Sequence, residues 1–244
     1  MIKRISLLIL IACTACQSIK IKNDTYQLAS SSPELGSIGH SNKKNVVVNN
    51  FDVRTLPKLE NKIRIAIDIV PFDRKLNKAY QSKKKYNQEH APITYVDSLP
   101  VKPELTTLKI LDIHSLVKEL NANYNSDVVR LLKDTKNFKM VTSLAVSLSA
   151  DEITKIRQAD AYYLATAQDS KYVVSLYKSG QKTDVLSIKP EAILAFQTST
   201  FCWAMNQKKE WYIADIITGT NNCKGNTQSN IPNRIKKNTS LFDM

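Results

Sequence analysis

Two pairs of short alternating segments near the end of the chain set its fold class. "KYVVSLY" and "DVLSI" flank "KSGQKT", while "AILAFQTSTFCWAM" and "EWYIADII" flank "NQKK". Runs rich in Val, Ile, Tyr, Phe and Trp, parted by a few turn residues, are the pattern of β-hairpins. Gly180 gives the first of these turns its conformational freedom. Upstream the spacing becomes helical. Leu116, Leu120, Tyr124, Val128 and Leu131 recur at three and four residues, predicting one helix from Asp112 or Ser115 to about Leu132. Ser149 and Glu152 have the spacing of a capping box. They open a second stripe, Ile153, Ile156, Ala159, Tyr163, Leu164 and Ala167, that runs to about Gln168. Helices followed by consecutive hairpins predict an α+β fold, with an antiparallel sheet built from the C-terminal hairpins and packed with two helices.

The middle of the chain adds three strands. Ile63, Ile65, Ile67 and Ile69 alternate with Arg64, Ala66, Asp68 and Val70, the period of a strand with one buried face. Pro71 marks an edge or an end of it. "LTTLKIL" is a second strand, and "NFKMVTSLAVSLS" alternates as a half-buried third. The folded domain is expected over 51–225, with a subdomain break near 98–104, where "SLPVKPEL" carries two prolines. Residues 16–50 are polar, with "SSSPELGSIGHSNKKN" at their centre, and read as a flexible tether. The last residues, 226–244, read as a loose tail.

The first residues give an address. "MIKR" carries two positive charges, and an apolar run follows from Ile5 to Cys13, too short to cross a bilayer. A charged start, a brief apolar stretch and small residues mark an export signal, residues 1–15. The segment "LIACTAC" resembles the lipobox of bacterial lipoproteins, in which a small residue precedes a cysteine. That resemblance covers about eighteen residues. It implies cleavage before the cysteine, a diacylglyceryl group on its thiol and acylation of its new amino group. "LIAC" at Cys13 has the better letters. "CTAC" at Cys16 leaves the better length of apolar core, and length selects Cys16, with Cys13 as the alternative. Gln17 follows in place of the Asp that retains lipoproteins of this class in the inner membrane. The resemblance therefore implies an outer-membrane lipoprotein facing the periplasm.

In an oxidising compartment disulfides persist, so the remaining cysteines, Cys202 and Cys223, are expected to be joined. The formal charge of +13 falls to +11 once Lys3 and Arg4 leave with the signal. An exported chain rarely meets nucleic acid, so none is expected as a partner. The membrane, an envelope protein or an anionic envelope polymer is expected instead. Abundant Lys, Asn and Ile also fit an AT-rich coding composition. The densest basic patch is Arg74, Lys75, Lys78, Lys83, Lys84 and Lys85, on a solvated loop or helix face or on a contact surface.

Catalytic machinery is not legible. His40 lies in the expected tether, His90 in the basic region and His114 at a helix start, with no zinc-site spacing among them. Neither a nucleophile elbow nor a Walker A sequence is present, and five glycines are too few for a Gly-rich phosphate cradle. No catalytic residue, metal or cofactor is expected. Asp68 and Asp73 are carboxylates from which a hydrolytic pair could be built. Phe196, Phe201, Trp203, Trp211 and Tyr212 read as core packing, or as an aromatic platform if the tryptophans are exposed. The function expected is a non-catalytic binding or assembly role in the envelope. The alternative is a cell-wall or envelope-polymer enzyme using carboxylates that no motif marks.

Overall fold

Strands drawn from Ser18 to Thr218, rather than from the C-terminal part alone, make one mixed and mostly antiparallel sheet. The computed structural model describes residues 18–43, 49–84, 93–98, 100, 102–167, 169, 171–219 and 221–231. Five strands come first: β1 Ser18–Ile21, β2 Asp24–Leu28, β3 Ile38–Lys43, β4 Asn49–Thr55 and β5 Ile63–Pro71. Helix α1, Arg74–Lys84, separates them from β6, Glu104–Ile110. Then come α2 Ile113–Leu120, α3 Ser126–Asp134, β7 Lys139–Val146 and α4 Ala150–Gln158. Five strands close the sequence: β8 Ala161–Thr166, β9 Tyr172–Lys178, β10 Gln181–Leu186, β11 Ile193–Met205 and β12 Trp211–Thr218. The sheet runs β1-β2-β11-β7-β6-β5-β8-β9-β10, with β12 added to β11 and β3–β4 added to β7. The class is α+β, with four helices among the described residues where two were expected.

The spine of the sheet is the antiparallel pair β7 and β11. Both strands are long enough to take two neighbours on one edge. Along β11, β2 pairs at Ala195 and Phe196, and β12 pairs from Ser199 onward. Along β7, β6 pairs over 143–146 and β3 at Lys139 and Met140. Two cores result. The larger contains Ile63, Ile65, Leu108, Leu116, Leu120, Leu144, Ile156 and Phe196. The smaller gathers Ile19, Ile21, Tyr26 and Leu28 from β1 and β2 with Phe72, Leu76 and Tyr80 from the α1 region. Strand β7 is therefore covered on both faces, not one: every residue from Met140 to Val146 is buried. Its hydroxyls are paired, Ser143 with Tyr26 and with the Leu108 carbonyl, Thr142 with Ser199.

Three expectations are corrected. The segment expected as a tether over 16–50 holds β1 to β3 and the start of β4, because its scattered apolar residues Ile19, Ile21, Tyr26, Leu28 and Ile38 all reach a core. There Gly39 lets two strands approach, since a Cβ on it would stand 2.0 Å from the Asp52 carbonyl oxygen. The single helix expected to Leu132 is broken between α2 and α3. Asparagine side chains compete with the helical backbone there. Asn121 exchanges hydrogen bonds with the backbone N–H and C=O of Ile213, and Asn125 with those of Lys58. The helix opened by Ser149 has its capping box but stops at Gln158. Residues Ala161–Thr166 are a strand instead, paired on one side with β5 and on the other with β9; two ladders outweigh a helical spacing that Tyr163 and Leu164 also satisfy. The break expected near 98–104 falls between β5 and β6, which pair in one ladder with Pro71 opposite Glu104.

Candidate functional site

The geometry singles out one end of β11. Beyond Lys139, where β7 starts, the edge of β11 is taken over by the C-terminal run of the chain: Trp203 and Gln228 exchange backbone hydrogen bonds of 2.8 and 2.9 Å. Cys202 and Cys223 are joined as expected, with Cα atoms 5.6 Å apart. Between this stapled run and the turn after α3 lies a groove of about 1520 Å³. One wall runs from the end of α3 to the start of β7, residues 132–139, the other is drawn from 221–231, and between them lie Thr200, Phe201, Trp203, Trp211 and Ile217. His40 and Ser41 of β3 close one side, His40 with its ring 4.2 Å from that of Phe138. Asn137, at φ 63, turns one wall, and Gly225, at φ 60, turns the other.

The groove is cationic and aromatic. Lys133, Lys136, Lys139 and Lys209 line it against two acids, Asp134 and Glu210. Both carboxylates are exposed, and Glu210 is held by Asn206 in the β11–β12 turn. Trp203 is 4% exposed and belongs to the core, as Phe196 and Phe201 do. Trp211 is half-buried on the groove, and Tyr212 is 40% exposed.

The expected basic patch divides. Lys75, Lys78 and Lys84 are exposed on α1, and Arg74 pairs with Asp97 at 3.0 Å. Lys83 is fully buried instead of lying on a solvated face, its ammonium donating to the Ile193 carbonyl. Burial pushes that ammonium down to about 7. Leu76, Tyr80 and Lys83 are spaced four and three apart, so the helical period could have placed Lys83 on the buried stripe. Cys13, Cys16, Lys85 and His90 lie outside the described residues, as does the tail beyond residue 231.

The remaining candidates have structural tasks. Asp73 caps α1 through the Leu76 N–H, and Asp68 pairs with Lys22 at 2.8 Å. His114 is exposed in the first turn of α2. Sequence reading passed over Glu119, a carboxylate 4% exposed that accepts from the backbone of Glu60 and Asn61, the Asn61 amide and the Tyr124 hydroxyl. Burial raises its pKa, but the hydrogen bonds from Asn61, Tyr124 and Glu60 outweigh this and hold it below the usual glutamate range. It fastens the loop before β5 and is not among the residues that line the groove at the end of β11. Among the described residues no group of three His, Cys, Asp or Glu side chains is placed to hold a metal, and no helix is long and apolar enough to cross a membrane.

Compared with protein-family models, with curated proteins and with solved structures, the chain matches none.

Proposed function

We propose that this protein is a lipid-anchored component of the bacterial envelope that binds a partner, without catalysis, in the groove at the disulfide end of its sheet. The observation that carries this reading is the construction of the groove. Its wall 221–231 has little sheet of its own, yet a disulfide and a backbone bridge fix it to β11. The result is a rigid concave surface with a half-buried tryptophan and four lysines. Rigid aromatic anchors inside a polar rim are what recognition surfaces use. The disulfide suits an oxidising compartment, in keeping with export and with an anchor at Cys16 on the periplasmic face of the outer membrane. An envelope protein or an anionic envelope polymer suits the excess of lysine. A hydrolytic reading would want paired carboxylates with one of them desolvated, and Asp134 and Glu210 are both exposed.

Site-specific cross-linking in the native envelope tests this. A photoreactive side chain at Asn222, on the groove wall, should yield a discrete adduct that Trp211→Ala abolishes. The same group at Gln181, on the β10 edge, should not. Equal adducts from both positions, or none from Asn222, would overturn the groove as the binding site. Turnover of cell-wall fragments by the purified protein would overturn the non-catalytic part.

A further inference from the structure

The smaller core has an outer surface that the groove does not use. Ile19 and Ile21 of β1 and Leu76 and Tyr80 of α1 point into that core. Alternation along β1 turns Lys20 outward. At 100° per residue, about 3.6 to a turn, Lys78 stands opposite the buried stripe of α1, with Lys75 and Lys84 on its flanks; all three are exposed. None of these four lysines has an ion pair among the described residues. The acids around them are engaged: Asp24 with Lys109, Asp68 with Lys22, Asp97 with Arg74, and Asp73 with the first turn of α1. Among the described residues, the outer face of this layer therefore carries positive charge that no acid offsets.

Chain length places that surface. Strand β1 begins at Ser18, two residues after Cys16. Two extended residues span at most about 7 Å, so an acyl-bearing Cys16 leaves no spacer between the bilayer and the β1–α1 layer. The Debye length at physiological salt is about 8 Å, which puts cations beside β1 within reach of an anionic membrane surface. We propose that Lys20, Lys75, Lys78 and Lys84 form a docking face that lies on the anionic headgroups of the membrane in which the protein is anchored. The domain is then held flat against the bilayer rather than swinging on a tether. The proposal rests on the lipid-anchor reading.

Lysine footprinting tests it on the full protein purified from its own cells and reconstituted into vesicles. One set is phosphatidylcholine alone; the other contains anionic phosphatidylglycerol. The anchor is the same in both, so a difference reports the face. An amine-reactive reagent should modify Lys20, Lys75, Lys78 and Lys84 roughly fivefold more slowly on the anionic vesicles, the factor expected of one lysine at such a surface. Lys118 and Lys182, exposed elsewhere, should react equally on both. High salt should erase the difference. Equal rates for the four lysines on both membranes, or slowing shared by Lys118 and Lys182, would overturn the docking face. The mass of the N-terminal peptide in the same sample reports the anchor separately. A chain without lipid would sink the anchor reading, and slowing of the four lysines would still decide the face.

Discussion

Replacing Lys83 with methionine keeps the length of the side chain and removes its charge, and the structure sets what should follow. The lysine is 0% exposed, and among the described residues its partner is the Ile193 carbonyl. Burial lowers its pKa from 10.5 to about 7. A base with a depressed native pKa binds fewer protons folded than unfolded between those two values. Stability therefore rises with pH across that window and falls as pH drops toward 7. At 1.36 kcal/mol per unit, the charge costs the native state about 4 kcal/mol at pH 7 and about 1 kcal/mol at pH 10. Lys83→Met removes that dependence, while the lost bond to Ile193 is the same at every pH. Urea unfolding of both proteins at pH 7 and pH 10 should show the stability of the variant relative to the parent shrinking by about 3 kcal/mol. Parallel behaviour at the two pH values would refute the placement of this ammonium in the core.

Three further outcomes follow from the packing. Replacing Cys202 and Cys223 together with alanine opens a loop of 21 positions and should lower stability by about 3 kcal/mol; an unchanged urea midpoint would contradict a stabilising staple. Gly39→Ala drives a Cβ into the Asp52 carbonyl and should cost at least about 2 kcal/mol, with amide protection lost first along β3 and β4. Glu119→Gln puts an amide where donors from Glu60, Asn61 and Tyr124 converge, for a loss of about 2 kcal/mol. Because hydrogen bonding holds Glu119 below the usual glutamate range, its contribution is present above that range and lost as pH falls through the native value. Acid unfolding of the variant should lack that component, and coincident acid transitions would count against it.

What the sequence disclosed was local. The β9–β10 and β11–β12 hairpins, the capping box at Ser149, the strand of alternating isoleucines and the Cys202–Cys223 pair each depend on neighbours in the chain or on simple arithmetic. What it hid was decided by distant partners. Residues 18–43 are polar on average, and their strands pair as β1–β2 and β3–β4 and join the sheet where β2 meets β11 and β3 meets β7. Residues Ala161–Thr166 fit a helical stripe until β5 and β9 pair with both of their edges. The groove draws on β3, the turn after α3, the end of β11 and the C-terminal run, so no window of sequence contains it. The disulfide and the neighbouring aromatics Phe201, Trp203 and Trp211 were its visible signs. Lys83 belongs to a basic run whose other described members are exposed, yet the helical period turns it inward with Leu76 and Tyr80.

The proposed lipid anchor underlies both the envelope address and the docking face inferred above, and the native N-terminus tests it most directly. Intact mass spectrometry of the N-terminal peptide, from protein purified out of its own envelope, should find a chain beginning at Cys16 and bearing a diacylglyceryl group and an amide-linked acyl chain. A chain that begins at Met1, or one that begins near Cys16 without lipid, would contradict a membrane-anchored envelope protein.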